Sequence, residues 1–274
     1  MLIVSDSSCD IWSLQDTNFK TVPLDINTDE RQFTDDQTLD VHEMLDYLSK
    51  YKGRSYTACP SVDRWIEAFG EEQEIYVVVL TSKLSGAYNS AECARELYLE
   101  KHPNAKVKVF DILTTAAEQV LIIEKIKELK DKGLDFEDVV EQITEYVKTT
   151  HLFFAFESLH NFAQNGRVSK ILAQTIGVLG ISIIGAASEE GDIKPLGKCR
   201  GKKNVIENLF SQMKEEGYKG GKVKISHIEN EQLAEKFADK IRESYPDADI
   251  QIYPSRGLVA YYGERGGILI GCEC

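Results

Sequence analysis

The sequence is poor in cysteine and proline, and its cysteine pattern excludes one class of protein. Only 6 cysteines and 6 prolines occur in 274 residues. Four of the cysteines have no closely spaced partner, which excludes the disulfide framework of small secreted domains and predicts a reducing, cytoplasmic location. Cys272 and Cys274 form a C-x-C pattern, but no second Cys/His pair has zinc-ligand spacing. We interpret them as ordinary thiols and predict no metal site.

Positive charge is also scarce. The chain has 32 lysines and arginines against 45 aspartates and glutamates, which gives a formal net charge of −13. Such a surface disfavours nonspecific binding to nucleic-acid phosphates, so we expect no nucleic-acid partner. The N-terminal segment reaches Asp6 without a basic residue, which argues against a signal peptide.

Several catalytic signatures are missing. The sequence contains no G-x-S-x-G, no G-x-G-x-x-G and no Walker loop, because the stretch from Gly191 to Gly197 is one residue too long for that loop. The five histidines show no metal-ligand spacing. We therefore predict no cofactor and no obvious acid–base centre.

Long apolar runs are limited to one uncharged segment, Ile171 to Ser188. It approaches the length of about 20 residues that a membrane helix needs. Three glycines interrupt it, and a helical first half is followed by a β-rich second half. We interpret it as a helix leading into a buried strand, and we predict no integral membrane segment.

Elsewhere, short β-branched runs alternate with amphipathic helical patterns, which predicts an α/β fold whose N-terminal sheet is mostly parallel and flanked by helices. A first helix should end at Gly133, and a second should begin after its N-cap, Asp135. The predicted strands of this part are Leu2 to Val4, Ile75 to Leu80, Val107 to Phe110 and Leu152 to Phe156.

A second α/β unit is predicted after about residue 160. It has helices from Lys203 to Lys214 and from Glu231 to Ser244, each followed by a strand, Lys222 to His227 and Asp249 to Tyr253. We predict an N-terminal α/β domain over residues 1–155 and a C-terminal α/β domain over residues 156–274.

Four polar loops follow predicted strands or precede helices, where ligands gather in open α/β sheets. The first is also consistent with a plain turn, and Ser61 in the second is most simply a helix N-cap. Ser85 and Gly86 in the third predict either a carboxylate or phosphate site or only a capped helix, with equal support. In the fourth, Arg167 beside a glycine is a better anion-binding candidate than the basic run at 194–203. The loops are Ser5 to Asp10, Thr57 to Ser61, Ser82 to Tyr88 and Asn165 to Ser169.

Taken together and in order, these loops resemble one family. The motifs SDSSCD, TACPS, LTSKLSGAYNSA, VFD, NGRVS and KPLGKCRGKK are similar to those of the DegV family of bacterial fatty-acid-binding proteins. The resemblance implies two α/β domains, with a long-chain acyl group in a tunnel between and within them. It also implies a lipid carrier without catalytic activity, which presents the fatty-acid carboxylate to a separate fatty acid kinase.

The resemblance assigns roles to individual residues. Thr57 of TACPS and Ser85 of LSGAY match the family's carboxylate-binding hydroxyls, with Gly86 beside Ser85. Arg167 of NGRVS matches an arginine of the family and is expected at the same site.

A second matching arginine is Arg200 of KCRGKK, which together with Lys202 is expected to engage the kinase. The chain departs from the family near its C-terminus, where many members have a histidine followed by G-P-G. Here the segment reads AYYGERGG, so either Tyr261 substitutes as a neutral donor or the headgroup is bound differently.

Two alternatives stay open. The protein is an acyl or phosphoryl transferase if Ser85 is a nucleophile, but such a serine needs a base within hydrogen-bond reach and the sequence favours no partner. The uncharged run after Ile171 is equally consistent with a tunnel wall and with an ordinary buried core.

Overall fold

The structure, a computed structural model, describes residues 1–169 and 180–274. The strands in this part are β1 (Leu2–Asp6), β2 (Phe19–Val22), β3 (Asp25–Asn27), β4 (Gln32–Thr34), β5 (Tyr56–Ala58), β6 (Glu74–Val79), β7 (Lys106–Asp111), β8 (Thr150–Phe156), β9 (Ile181–Ala187), β10 (Ile193–Arg200), β11 (Val223–His227), β12 (Ile250–Pro254) and β13 (Ile268–Glu273). The helices are α1 (Val41–Lys50), α2 (Val62–Phe69), α3 (Ala87–Lys101), α4 (Ala116–Asp131), α5 (Phe136–Tyr146), α6 (His160–Gln164), α7 (Lys202–Glu215), α8 (Glu231–Ser244) and α9 (Gly257–Gly263).

The strands form three sheets. The first is a parallel sheet with the order β2-β1-β6-β7. The second has the order β10-β9-β8-β13-β11-β12 and is antiparallel except for the β11–β12 pair. A small antiparallel sheet, β4-β3-β5, completes the fold. The predicted α/β fold, with a parallel N-terminal sheet and a second sheet-and-helix unit, is confirmed.

Strand β8 joins the second sheet, although the sequence pattern grouped it with the N-terminal strands. It lies between β9 and β13, so it belongs with the C-terminal elements. The division of the chain into domains between residues 155 and 156 falls at the end of this strand and stays a prediction.

The capping residues identified in the sequence lie at helix ends, as predicted. Asp135 accepts a hydrogen bond from the Asp138 amide at 3.0 Å and caps α5. Gly133, with φ of +83°, follows the end of α4, because a left-handed residue stops a helix without steric cost. Ser61 caps α2 by accepting from the Arg64 amide at 3.4 Å.

The structure also bears on the sequence interpretations of the cysteines and of the uncharged run. All six cysteines are free thiols, as predicted. The second half of the uncharged run forms strand β9, also as predicted, whereas the helix predicted in its first half, over residues 171–179, lies outside the described residues. No helix in the described part of the chain is long and apolar enough to span a membrane.

Helix α4 lies between the two large sheets. On one side its apolar residues, including Ile122 and Ile126, pack in a cluster with strand residues of the parallel sheet. On the other side Ala117 packs in a cluster with Leu152 and Leu269 of the six-stranded sheet. One helix therefore closes two apolar cores, which explains why 10 of its 16 residues are buried, including every residue from Ala116 to Ile123.

Polar contacts fix how α4 sits between the sheets. Gln119 donates to the Ser5 hydroxyl of the parallel sheet at 2.8 Å. On the opposite side, Glu118 accepts from the Thr150 hydroxyl at 2.7 Å, and burial raises the pKa of Glu118 to about 7. Lys224 of β11 is fully buried and donates to Glu124 at 2.6 Å. All of these residues except the partly exposed Glu124 are buried, so a shift of the helix along its axis would leave buried polar groups unsatisfied.

Gly271 of β13 marks the closest approach of α4 to the six-stranded sheet. A Cβ at this position would lie 2.4 Å from the Glu118 nitrogen and 2.6 Å from the Ala117 carbonyl carbon. Backbone atoms cannot move aside as a flexible side chain can. The glycine is therefore required for the helix to touch the strand.

We expect Gly271→Ala to lower the free energy of unfolding by about 1–3 kcal/mol or more, because the added methyl overpacks the helix–sheet contact. Urea denaturation of both variants and the wild type measures the effect. Gly197→Ala, in β10 of the same sheet, is the matched control, since a Cβ there meets no atom of the described residues within 4 Å. Equal stability of the two variants would contradict the proposed close contact.

Candidate functional site

A narrow cavity, partly open to solvent, lies where the loops at the carboxyl end of the parallel sheet meet the six-stranded sheet, and the centre of a water-sized sphere can occupy about 80 Å³ of it. Its wall is built from the loops after β6 and β7, the inner face of β8, the turn between β9 and β10, and helix α9.

The interior of the cavity is apolar. Leu152, Phe154 and Phe156 alternate along β8 and so point to one face, and Leu269 of the paired strand β13 joins them. The rings of Phe154 and Phe156 stack with centroids 4.5 Å apart. Gly185 of β9 makes room for Phe154, because a Cβ there would lie 2.2 Å from the ring.

Polar side chains gather at one side of this cavity. Thr57 of β5 and Tyr262 of α9 both line it, and their hydroxyls are 2.8 Å apart. Burial raises the pKa of Tyr262, whereas the Thr57 hydrogen bond and the nearby positive charge of Arg167 lower it. The phenol is therefore a neutral group that both donates and accepts hydrogen bonds at ordinary pH.

Ser85 both lines the cavity and hydrogen-bonds the first residue of a helix. It lines the cavity in the loop after β6, and its hydroxyl accepts from the Ala87 amide at 3.2 Å at the start of α3. No side chain among the described residues hydrogen-bonds this hydroxyl, and no histidine of residues 1–169 and 180–274 lines the cavity. Among the described residues, no base is hydrogen-bonded to Ser85, although the carboxyl-bearing Asp192 also lines the cavity.

Gly86 lies next to the cavity without lining it. It is the exposed N-cap residue of α3, and a Cβ there would lie 3.3 Å from the Cys59 sulfur. The small residue lets the loop after β6 approach the loop that carries Thr57. Gly86 therefore brings the two hydroxyl-bearing loops together.

Arg167 lies at the cavity with its guanidinium held in place by backbone oxygens. Its Nε donates to the Leu84 carbonyl at 2.8 Å and its Nη1 donates to the Asn165 carbonyl at 2.5 Å. The left-handed Gly166, with φ of +73°, turns the chain back after α6. The positive charge is thus fixed beside Ser85, which follows Leu84.

Tyr261, predicted from the sequence as a ligand-binding residue, lies outside the cavity lining. Its side chain is fully buried and hydrogen-bonds Ser55 and Asn165 instead. Successive residues of a helix point about 100° apart, so in α9 the neighbouring Tyr262 faces the cavity and Tyr261 does not. The sequence reasoning singled out Tyr261 and did not consider Tyr262, the tyrosine that lines the cavity.

The predicted partner-binding residues are also remote from the cavity. Arg200 ends the edge strand β10, and Lys202 begins α7. Both are exposed, and neither lines the cavity. The structure thus brings together Thr57, Ser85 and Arg167 at the cavity. It separates them from Arg200 and Lys202, which we call the basic surface.

Two buried aspartates anchor helix α9: Asp10, the last residue of the first polar loop, and Asp35, which the sequence reasoning did not single out. Asp35 accepts from the amides of Gly257 and Leu258 at 2.8 and 2.9 Å, and Asp10 accepts from the Arg256 amide at 2.7 Å. A carboxylate at a helix N-terminus is a recognisable role, but no local pattern links these aspartates to a helix more than 200 residues away. In the described residues, no group of three or more His, Cys, Asp or Glu side chains is placed to hold a metal ion.

The family model described as an uncharacterised protein, DegV family, matches residues 1–269. The chain belongs to the DegV family. This confirms the family resemblance drawn from the loop motifs. A DegV domain-containing protein of Streptococcus pneumoniae is 39% identical over 275 residues, which cover 99% of this chain and 98% of that protein.

Solved structures of DegV proteins agree with the fold over nearly the whole chain. A DegV family protein from Eubacterium eligens loaded with heptadecanoic acid has 49% identity and a TM-score of 0.98, with 100% of this chain and 99% of the other covered. The Streptococcus pneumoniae Fatty Acid Kinase (Fak) B3 protein loaded with linoleic acid has 39% identity and a TM-score of 0.97, with 99% and 98% covered.

The anchoring of α9 in this DegV protein leads to a pH prediction. Burial raises the pKa of Asp10 to about 8 from its ordinary value of 3.8. The folded protein therefore holds this proton more tightly than the unfolded chain, so the Asp10 contribution to the free energy of unfolding falls as pH rises from about 4 to about 8.

We expect Asp10→Asn to remove this part of the pH dependence, so that stability falls less between pH 5 and pH 8 than in the wild type, by more than about 1 kcal/mol. Asparagine keeps the acceptor oxygen and tolerates the left-handed φ of +62° at this position. Urea denaturation at several pH values gives the slopes. Asp16→Asn, at an exposed aspartate with φ of +54°, is the control and should keep the wild-type slope. Identical slopes for all three proteins would contradict the assignment.

Proposed function

We propose that this protein binds one long-chain fatty acid, with the acyl chain in the apolar part of the cavity and the carboxylate at its polar side. The observation that carries the proposal is the combination of an interior lined by Leu152, Phe154 and Phe156 with Thr57 and Arg167 at one side. The DegV relatives loaded with heptadecanoic and linoleic acid support the choice of ligand.

The apolar wall accounts for most of the affinity. Removing about 14 methylenes from water at about 0.8 kcal/mol each gives about 11 kcal/mol of gross driving force, from which the entropic cost of binding is subtracted. Polar contacts then orient the ligand, because an ionised carboxylate left in an apolar cavity without partners would oppose binding.

The carboxylate has suitable partners in the proposed site. Thr57 and Tyr262 each carry a hydroxyl proton, and Ser85 carries a third. The guanidinium of Arg167, held by two backbone carbonyls, supplies a charge of the opposite sign. The start of the 15-residue helix α3, directly after Ser85 and Gly86, adds a positive partial charge on the same side.

We further propose that the protein is a non-catalytic carrier which presents this carboxylate to a separate fatty acid kinase. The similarity to the Fak B3 protein supports this role. The lack of a base hydrogen-bonded to Ser85 in the described residues argues against the alternative, an acyl or phosphoryl transferase. Arg200 and Lys202 are the proposed contact residues for the kinase, and we expect no cofactor besides the bound lipid.

Native mass spectrometry of purified protein should detect about one non-covalently bound fatty acid. The variants Thr57→Val and Ser85→Ala should each weaken binding of labelled palmitate by about 1.5–3 kcal/mol, because each removes a hydrogen bond to a charged group. Ser61→Ala, in the same loop as Thr57 but outside the cavity, is the matched control. Wild-type protein that carries no lipid and fails to bind palmitate would overturn the proposed function.

Arg200→Ala should keep its bound fatty acid and slow acyl-phosphate formation by a bacterial fatty acid kinase. Charged residues at the edge of an interface chiefly raise the encounter rate, so the defect should be largest at low salt, and the wild-type rate should fall as salt rises. Arg242→Ala on α8 is the control for an exposed arginine away from this surface. Equal rates for Arg200→Ala and the wild type would exclude the basic surface from the kinase contact, and lipid loss would place Arg200 in the lipid site.

A further inference from the structure

Tyr261 is the centre of a buried chain of hydrogen bonds beside the cavity. Its side chain is fully buried, and its hydroxyl is 2.8 Å from the Ser55 hydroxyl and 2.9 Å from Nδ2 of Asn165. None of these three residues lines the cavity. The buried phenol is therefore not one of the proposed ligand contacts, and its hydrogen bonds must serve another purpose.

The direction of each bond in this chain is determined by the neighbouring bonds. Oε1 of Gln164 accepts from both the amide and the hydroxyl of Ser55, at 3.3 and 3.0 Å. Nδ2 of Asn165 donates to the Asn161 carbonyl as well as to Tyr261. The Ser55 proton is thus committed to Gln164, so Tyr261 donates to Ser55 and accepts from Asn165.

This chain connects two of the residues that surround the proposed headgroup site. Ser55 lies two residues before Thr57, directly ahead of strand β5. Asn165 ends helix α6, and its carbonyl accepts from Nη1 of Arg167 at 2.5 Å. The tyrosine hydroxyl therefore ties the segment that leads to Thr57 to the turn that carries Arg167.

Helix α9 holds the tyrosine rigidly enough for this role. The Tyr261 carbonyl accepts from Nδ2 of Asn161 at 2.7 Å, which joins α9 to α6 a second time. At the other end of α9, Asp35 accepts from two backbone amides. The same helix carries Tyr262, whose hydroxyl meets Thr57.

We propose that Tyr261 is a positioning residue, which sets the place of Arg167 and Thr57 for carboxylate recognition without contacting the ligand. This inference rests on the proposed function. A phenylalanine at position 261 fills the same space but leaves the Ser55 hydroxyl and the Asn165 amide without this partner. The turn at Asn165 then keeps only the bond from Asn161 to the Tyr261 carbonyl as its tie to α9. The Asn165 carbonyl, which holds one side of the Arg167 guanidinium, is therefore less firmly placed.

The test compares two ligands with the same chain and different headgroups, palmitate and hexadecanol. Tyr261→Phe should weaken palmitate binding about tenfold or more, the effect expected if a displaced Arg167 or Thr57 loses a hydrogen bond to the ligand carboxylate, while hexadecanol binding changes by less than about twofold. A merely structural role would weaken both ligands alike. Tyr218→Phe is the matched control, since this buried tyrosine donates to the Gly221 carbonyl in another part of the fold.

A double-mutant cycle shows whether Tyr261 acts through Arg167. In an Arg167→Gln background, Tyr261→Phe should weaken palmitate binding clearly less than it does in the wild type, because the part of its effect that acts through Arg167 is already lost and only the part through Thr57 remains. Full additivity would overturn the proposal, as would an unchanged palmitate-to-hexadecanol ratio in the single variant. Ser55→Ala, which removes the acceptor of the Tyr261 proton, should shift the ratio in the same direction and serves if Tyr261→Phe does not fold. Wild-type protein that binds neither ligand would instead contradict the proposed function.

Discussion

The contact between helix α4 and strand β13 is the constraint on which the rest of the fold depends. At Gly271 the helix and strand backbones touch without an intervening side chain. The same helix carries the apolar residues that cover the parallel sheet, so its distance from one sheet determines its distance from the other. Gln119 on one side and Glu118 and Glu124 on the other then allow only one position along the helix axis.

The cavity lies at the N-terminal end of this shared helix. The loop that enters α4 contributes Leu113, Thr114 and Thr115 to the wall, and both Leu113 and Ala116 have a positive φ, +57° and +52°. Such conformations are costly for residues with a side chain and persist only where the surroundings impose them. Here the surroundings include Gly191, where a Cβ would lie 3.1 Å from the Leu113 Cα, so the β9–β10 turn reaches across to the loop after β7. The two parts of the protein thus complete one wall together.

Many strands, helix caps and loop residues of the fold were predictable from the sequence, because each depends on a pattern of neighbouring residues. Buried parallel strands such as β6 appear as continuous apolar runs, and caps such as Asp135 lie next to the helices that they begin. The loop motifs likewise located Thr57, Ser85 and Arg167. The three-residue strands β3, β4 and β5 are too short to show a period, and the seven residues of α9 do not reveal that Tyr262 and not Tyr261 faces the cavity. The need for a glycine at position 271 follows from a contact 150 residues apart in the chain, which no local pattern contains.

The edge strand β10 has a consequence for the behaviour of the protein in concentrated solution. An edge strand offers unpaired backbone groups to which a strand of another molecule can add, the first step of sheet-to-sheet aggregation. In β10, Pro195 lacks an amide proton and the register shifts between Pro195 and Gly197, so a second strand meets a discontinuous edge. Exposed Lys194 and Arg200 at the two ends of the strand add repulsion between like-charged edges. The strand that carries Arg200, one of the proposed kinase contacts, therefore disfavours the addition of a like-charged strand from another molecule.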